Sequence, residues 1–331
     1  MSFDQFLPVF FFAVLGVAML LYVLLDGFDL GVGLLLPLVE RAEKDAMIAA
    51  IGPFWDANET WLVLGVGILL IAFPQAHGLI LGALYLPVTA MLIGLILRGV
   101  AFDFRVKARD QHQGLWDLAF FAGSLTASLA QGWMLGRYIS GFAEGAGPLA
   151  FAGLIALALP AAYVLLGACW LLLKSEGALQ EKAQRWGRRA LPAVALGLIL
   201  ISLATPWLSD TVRAKWFAMP VFLALLPIPL ACGAALLGLG WVLGRPRVRE
   251  EFAWLPFVLS IFVLLMGFFG LAYSLYPYII MDRLSLFEAA ASTPALTVIF
   301  IGTVITVPLI LAYTAFSYWV FRGKSSSLSY G

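Results

Sequence analysis

Long apolar stretches alternate with short charged or turn-rich connections nine times along the chain, at about 7 to 39, 53 to 73, 79 to 97, 115 to 140, 148 to 173, 190 to 208, 217 to 243, 252 to 277 and 295 to 321. Nearly all approach or exceed the ~20 residues with which a helix crosses a hydrocarbon core of about 30 Å. The pattern predicts an all-α polytopic membrane protein, a single integral membrane domain over residues 1–331 with nine transmembrane helices. The first stretch is too long for a signal-peptide core and has neither a charged leader nor a small-residue cleavage site, so it is expected to be retained. The loop from 278 to 294 is the longest on its side and is expected to form a short surface helix. The Ser-rich tail from Arg322 to Gly331 is expected to be mobile.

Two positions break the first stretch. Between Leu7 and Glu40 the charges are Asp26 and Asp29, within Leu25-Asp26-Gly27-Phe28-Asp29-Leu30-Gly31-Val32-Gly33. On a helix the two acids lie one turn apart on one face, and Gly27 with Gly31 lets a second helix come close. An unpaired acid in lipid costs on the order of 3 kcal/mol or more, so both are expected to point into protein and to be functional candidates; packing acids satisfied by an Arg or by water are the plainer alternative.

Composition narrows the class. With 63% hydrophobic and 12% charged residues, the chain falls outside the range of soluble domains. Its formal net charge of +1 gives no reason to expect nucleic acid as a partner. Cys169 and Cys232 both fall within apolar runs and read as packing residues. Charge distribution adds orientation. Lys and Arg number 2, 4, 5, 3 and 2 in the connections after spans one, three, five, seven and nine, against 4 on the other side. The positive-inside rule then puts the N-terminus outside and the C-terminus in the cytoplasm, with Asp26 and Asp29 toward the cytoplasmic face.

The second span opens with Pro53-Phe54-Trp55-Asp56-Ala57-Asn58-Glu59-Thr60-Trp61, where Asp56 and Glu59 share a face at an end favoured by the helix dipole. Trp55 and Trp61 suit an interfacial aromatic belt. The third span is expected to end at Arg98, the natural partner for a buried acid, with Asp103, Arg105, Lys107 and Arg109 beyond it. In the fourth, Ser124, Ser128 and Gln131 form a stripe at helical spacing that either relays protons or bonds a neighbouring helix. Past residue 141 the spans carry no charge until the chain leaves near Arg322, and the second half reads as scaffold. His77 and His112, the only two histidines, both fall in connections. A membrane-embedded b-type haem held by this chain alone is therefore not expected, and no Cys cluster, dinucleotide fingerprint or phosphate loop is present.

Asp26-Gly27-Phe28-Asp29-Leu30-Gly31-Val32-Gly33, Trp55-Asp56-x-Asn58-x-x-Trp61, Arg98-x-x-x-Phe102-Asp103-Phe104-Arg105 and Tyr313-Thr314-Ala315-Phe316-Ser317-Tyr318-Trp319 occur in order, and together they resemble subunit II of the cytochrome bd-type quinol oxidases. The run from Leu92 to Phe102, with Ala130-Gln131-Gly132, further resembles the branch called cyanide-insensitive oxidases. The resemblance implies two four-helix bundles, 1–141 and 148–277, with a peripheral helix at 295–321. It implies a haem-free subunit of the bacterial inner membrane that stabilises a subunit I carrying b-type and d-type haems, in an enzyme that oxidises quinol and reduces oxygen to water. A small single-helix accessory subunit, quinone and lipids are further implied partners. It also implies a cytoplasmic proton route through Asp29, Asp56 and Asp103 with Asp26 near its mouth. Trp55 and Arg98, with Glu59 beside them, would be adjacent to quinone or lipid or act as charge partners. A self-contained proton-coupled carrier using the same acids is the alternative, disfavoured because only one half bears membrane charges.

Overall fold

The computed structural model describes residues 2–325, so the tail residues 326–331 lie outside the described part. Helix α1 (Phe3–Leu35) is capped by Ser2, whose hydroxyl accepts from Gln5 N while Gln5 reaches back to Ser2 N. After α2 (Arg41–Ile51) come α3 (Trp55–Ala72), α4 (Pro74–Lys107), α5 (Gln113–Ile139), α6 (Ala146–Lys174) and α7 (Gly177–Leu208). The remainder comprises α8 (Asp210–Phe217), α9 (Val221–Leu225), α10 (Pro227–Leu243), α11 (Leu255–Leu275), strands β1 (Tyr278–Ile280) and β2 (Leu284–Ser285), α12 (Leu286–Ala289) and α13 (Thr293–Val320). Among the described residues nine helical segments are long and apolar enough to cross a membrane, α9 and α10 together supplying the seventh.

The structure differs from the sequence reading at four places. The third span does not stop at Arg98, because its charge is neutralised inside protein and no helix breaker follows, so α4 continues to Lys107. The same helix starts at Pro74, which puts His77 in a first helical turn instead of a loop. Helix α7 begins at Gly177 instead of near residue 190, its early turns carrying Glu181, Lys182, Arg185 and Arg188. The loop expected to hold only a surface helix forms an antiparallel hairpin, β1 with β2, before the single turn of α12.

Helix α1 lies at the centre and packs against α3, α5 and α6, while α4 packs on α5, α6 on α7 and α10 on α11. The α1–α6 crossing is tight because both helices offer glycine. A Cβ on Gly31 would lie 1.8 Å from the Tyr163 carbonyl oxygen, and one on Gly167 would lie 2.5 Å from the Gly31 carbonyl carbon. The α4–α5 crossing is built alike, with Gly94 and Gly123 each facing the other's backbone.

Helix α2 follows the C-terminal end of α1 and braces the end of the molecule where residues 321–325 also lie. Glu43 pairs with Lys182 of α7 (2.6 Å) and Lys44 with Asp117 of α5 (3.0 Å). Asp45 pairs with Arg105 of α4 (2.7 Å), whose Nε donates to Asp117 at 2.5 Å. At the same end, Lys324 donates to the carbonyls of Leu173 and Ser175, and burial pulls its titration below the ordinary lysine range against the opposing effect of Glu176. At the opposite end the hairpin is held by Tyr138 Oη donating to Ile279 O at 2.7 Å and Ser209 Oγ donating to Asp282 at 2.8 Å.

The crossing gives a direct test. Gly31→Ala forces α1 and α6 apart and should lower stability by about 1–3 kcal/mol, as overpacking does. Gly67→Ala, where a new Cβ meets nothing within 4 Å, should leave it unchanged or slightly raised. Thermal unfolding of the detergent-solubilised protein measures both; equal behaviour of the two variants would show that the crossing is not close.

Candidate functional site

Six helices converge on one buried polar cluster. Helix α1 supplies Asp26 and Asp29, each 0% exposed, which confirms that the acids face inward. Helix α4 supplies Arg98, 1% exposed, and the extension of that helix past residue 98 is what holds the guanidinium inside. Helix α3 adds Asn58 and Glu59 from its first turns, α5 adds Gln131, α6 adds Tyr163 and α13 adds Tyr318.

Arg98 is the hub. Its Nη1 donates to Asp26 Oδ1 at 2.6 Å and its Nη2 donates to Glu59 Oε1. One fork thus joins a fully buried carboxylate to one whose side chain is 27% exposed, a geometry suited to Arg because its planar donors are fixed in direction. Its Cζ lies 6.0 Å from the Trp55 ring centre, and Trp55 packs at 5.1 Å on Phe102. Asp29 is held separately, with Asn58 Nδ2 donating to its Oδ2 at 2.8 Å and to Leu25 O at 3.2 Å. Deeper along the helices, Tyr163 Oη donates to Gln131 Oε1 at 2.5 Å and Gln131 Nε2 donates to Tyr22 Oη at 2.7 Å.

The cluster is not closed. Asp26 Oδ2, Asp29 Oδ1 and Arg98 Nε are buried with no hydrogen-bond partner among the described residues. The two carboxyl oxygens therefore keep unused lone pairs inside the protein, while Glu59, 27% exposed, holds the other arm of the Arg98 fork.

Other residues singled out from the sequence lie around this cluster. Asp56 is exposed in the first turn of α3, and Asp103 is exposed on α4 between Arg98 and Lys107; neither joins the hydrogen-bonded set. The Ser124–Ser128–Gln131 stripe divides. Both serines donate back to their own helix, at 2.8 Å to Phe120 O and 2.6 Å to Ser124 O, whereas Gln131 bonds across to α1 and α6. Tyr22 and Tyr163 were missed because an apolar pattern counts Tyr as hydrophobic, and Tyr318 was noted only within its motif, without a partner. The hydroxyls of Tyr22, Tyr163 and Tyr318 become visible as partners only when the helices are assembled.

The fold and this cluster define a polytopic helical membrane protein with an ion-paired acid site buried among its helices. The chain belongs to the family described as cytochrome bd terminal oxidase subunit II, whose sequence profile matches residues 7–321. It is 26% identical over 321 residues to cytochrome bd ubiquinol oxidase subunit 2 of Bacillus subtilis, covering 91% of this chain and 92% of that one. It is also 26% identical over 357 residues to cytochrome bd-I ubiquinol oxidase subunit 2 of Escherichia coli strain K12, covering 93% and 92%. The fold is similar to a chain of the bd oxidase from Geobacillus thermodenitrificans, with a TM-score of 0.77 at 18% identity over 96% of this chain and 99% of that one.

Replacing Arg98 isolates its acids. Arg98→Ala leaves Asp26 buried without its counter-ion and should destabilise the protein by about 3–5 kcal/mol, the usual loss when one member of a buried pair is removed. A lower detergent-resistant melting temperature is the expected readout, and an unchanged one would show that the pair contributes nothing.

Proposed function

We propose that the chain is the haem-free subunit of a quinol-oxidising terminal oxidase, that it stabilises a haem-bearing subunit I, and that it carries protons toward that partner from the cytoplasm. Family membership supports the enzyme. The observation that carries the proton reading is the gradation of carboxyls at one end: Asp56 and Asp103 exposed, Glu59 partly exposed, Asp29 and Asp26 fully buried. Such a series lets a proton leave water stepwise. Asp26, clamped by Arg98, acts in this scheme as the counter-ion that keeps the guanidinium in place, and Asp29 is the inner station. Trp55, part-exposed where Arg98 is buried beside it, forms the side of the site nearest quinone or lipid.

The end bearing α2 and the tail faces the cytoplasm in this reading, supported by the excess of Lys and Arg there. The neighbour relations of the helices support two four-helix bundles, α1, α3, α4 and α5 in one and α6, α7, α10 and α11 in the other, with α13 beside the first. The haems belong to the partner. His77 sits in the first turn of α4 and His112 in an exposed turn before α5, so neither stands at mid-membrane depth, where an axial ligand to an embedded haem would be needed.

Two measurements test this reading. The separated chain should show no Soret band, and stoichiometric haem on it would overturn the assignment. Asp56→Asn keeps the side-chain shape and loses the exchangeable proton, so it should slow steady-state quinol oxidation in the purified oxidase while leaving the partner's haem spectrum intact. The N-cap of α3 is Phe54 and no side chain caps it, so the structural role open to Asp56 is that of a first-turn charge on the helix dipole. Wild-type turnover in that variant would reduce Asp56 to that role, and loss of haem would make it structural.

A further inference from the structure

The last turn of α13 reaches the inner acid through a single amide. Asn58 Nδ2 donates to both Asp29 Oδ2 and Leu25 O, and because Leu25 O can only accept, the amide must turn its nitrogen toward α1. Its Oδ1 then faces α13, where Tyr318 Oη donates to it at 3.0 Å. Both Asn58 N–H groups and one lone pair of its Oδ1 are thereby engaged, and with them the bonded oxygen of Asp29; Asp29 Oδ1 is left buried and unpartnered among the described residues.

Tyr318 is itself located from two sides. Its ring stacks on Phe54 (4.5 Å between centres, 27° between planes) and meets Trp170 and Phe28 edge-on at 6.0 and 6.4 Å. Immediately beyond it the chain is clasped to the end of α6. Lys174 Nζ, placed 5.5 and 5.4 Å from the Phe54 and Trp170 ring centres, donates to Phe321 O and to Gly323 O at 2.6 Å. Ser325 Oγ returns a bond to Lys174 O at 3.0 Å. Elsewhere α13 buries only Leu296 and Thr303, so little else sets its rotation at this end.

We infer that Tyr318, held by the Lys174 clasp, is a positioning residue for Asp29. With the Asn58 nitrogen already turned to α1 by Leu25 O, the Tyr318 hydroxyl fixes the angle of the amide and so the direction in which Asp29 presents its free oxygen for proton exchange. The exchange half of the inference rests on the proton-route reading above; the positioning half rests on geometry alone.

Infrared difference spectroscopy of the purified oxidase separates the two. The carboxyl or carboxylate stretch of Asp29 is assigned by its disappearance in Asp29→Asn. In Tyr318→Phe, which keeps the ring and removes one hydroxyl, that stretch should shift and broaden. Lys174→Met, which keeps the Tyr318 side chain but releases the clasp that holds it, should alter it in the same sense. Turnover in Tyr318→Phe should fall about tenfold, equivalent to ~1.4 kcal/mol of lost positioning. An unmoved Asp29 stretch in Tyr318→Phe with haem intact would overturn the inference, and so would loss of assembly from that single hydroxyl, since it would make the group structural. Wild-type turnover in Asp29→Asn would instead overturn the proton route, with the infrared result still deciding whether Tyr318 positions the acid.

Discussion

A guanidinium cannot be left alone in a hydrocarbon layer, and the position of Arg98 organises much of what surrounds it. At 1% exposure it needs anionic partners within reach of a rigid fork, and it finds Asp26 on α1 and Glu59 on α3. Three helices are thereby fixed in register by charge, a stronger constraint in a membrane than apolar packing, because lipid tails solvate Leu and Ile as well as a neighbouring helix does. The same pairing places Asp29, one turn further along α1, against α3, where Asn58 meets it.

Charge alone does not bring helices close enough for such short bonds; the backbone must cooperate. Gly31 against Gly167 and Gly94 against Gly123 draw α1 to α6 and α4 to α5, removing side-chain bulk where the polar residues have to meet. Tyr163, whose carbonyl lies at the Gly31 crossing, sends its hydroxyl to Gln131, so the close crossing and the deeper hydrogen bonds are parts of one arrangement. The glycines and the acids of the first span thus do two jobs on one helix: Gly27 and Gly31 admit Tyr163 and Gly167 of α6, while Asp26 and Asp29 meet Arg98 and Asn58 of α4 and α3.

What the sequence made legible follows from how strong each signal is. Nine spans, the inward acids and the choice of Arg98 as partner were readable, because apolar length and isolated charge in lipid are large free-energy terms. The end of α4 was misplaced at Arg98 for the same reason inverted, since a charge was taken to mark the membrane edge when it was in fact paired inside. The bracing by α2 was not readable. Glu43, Lys44 and Asp45 look like any solvated charge run until α4, α5 and α7 supply Arg105, Asp117 and Lys182. The roles of Tyr22, Tyr163 and, within its motif, Tyr318 were not readable because each ring reads as apolar and each hydroxyl acquires meaning only from a residue more than 30 positions away.

Two layers of charge therefore lie at one end of the molecule, with different physics. The outer layer, where α2 pairs with α4, α5 and α7, is partly wet; Asp45 is 58% exposed, and pairs of this kind contribute little and are screened by salt. The inner layer, from Glu59 to Asp29, is shielded, so each of its charges depends on a specific neighbour and small displacements change its energy strongly. A path that takes protons out of water has to cross from the first regime to the second. On the proposed proton route Glu59 stands at that crossing, with its side chain 27% exposed and bonded to Arg98, which in turn holds the fully buried Asp26. The arrangement makes Arg98 serve two ends at once: it neutralises the buried carboxylate that would otherwise be expelled, and it ties the half-exposed one to the mouth of the site.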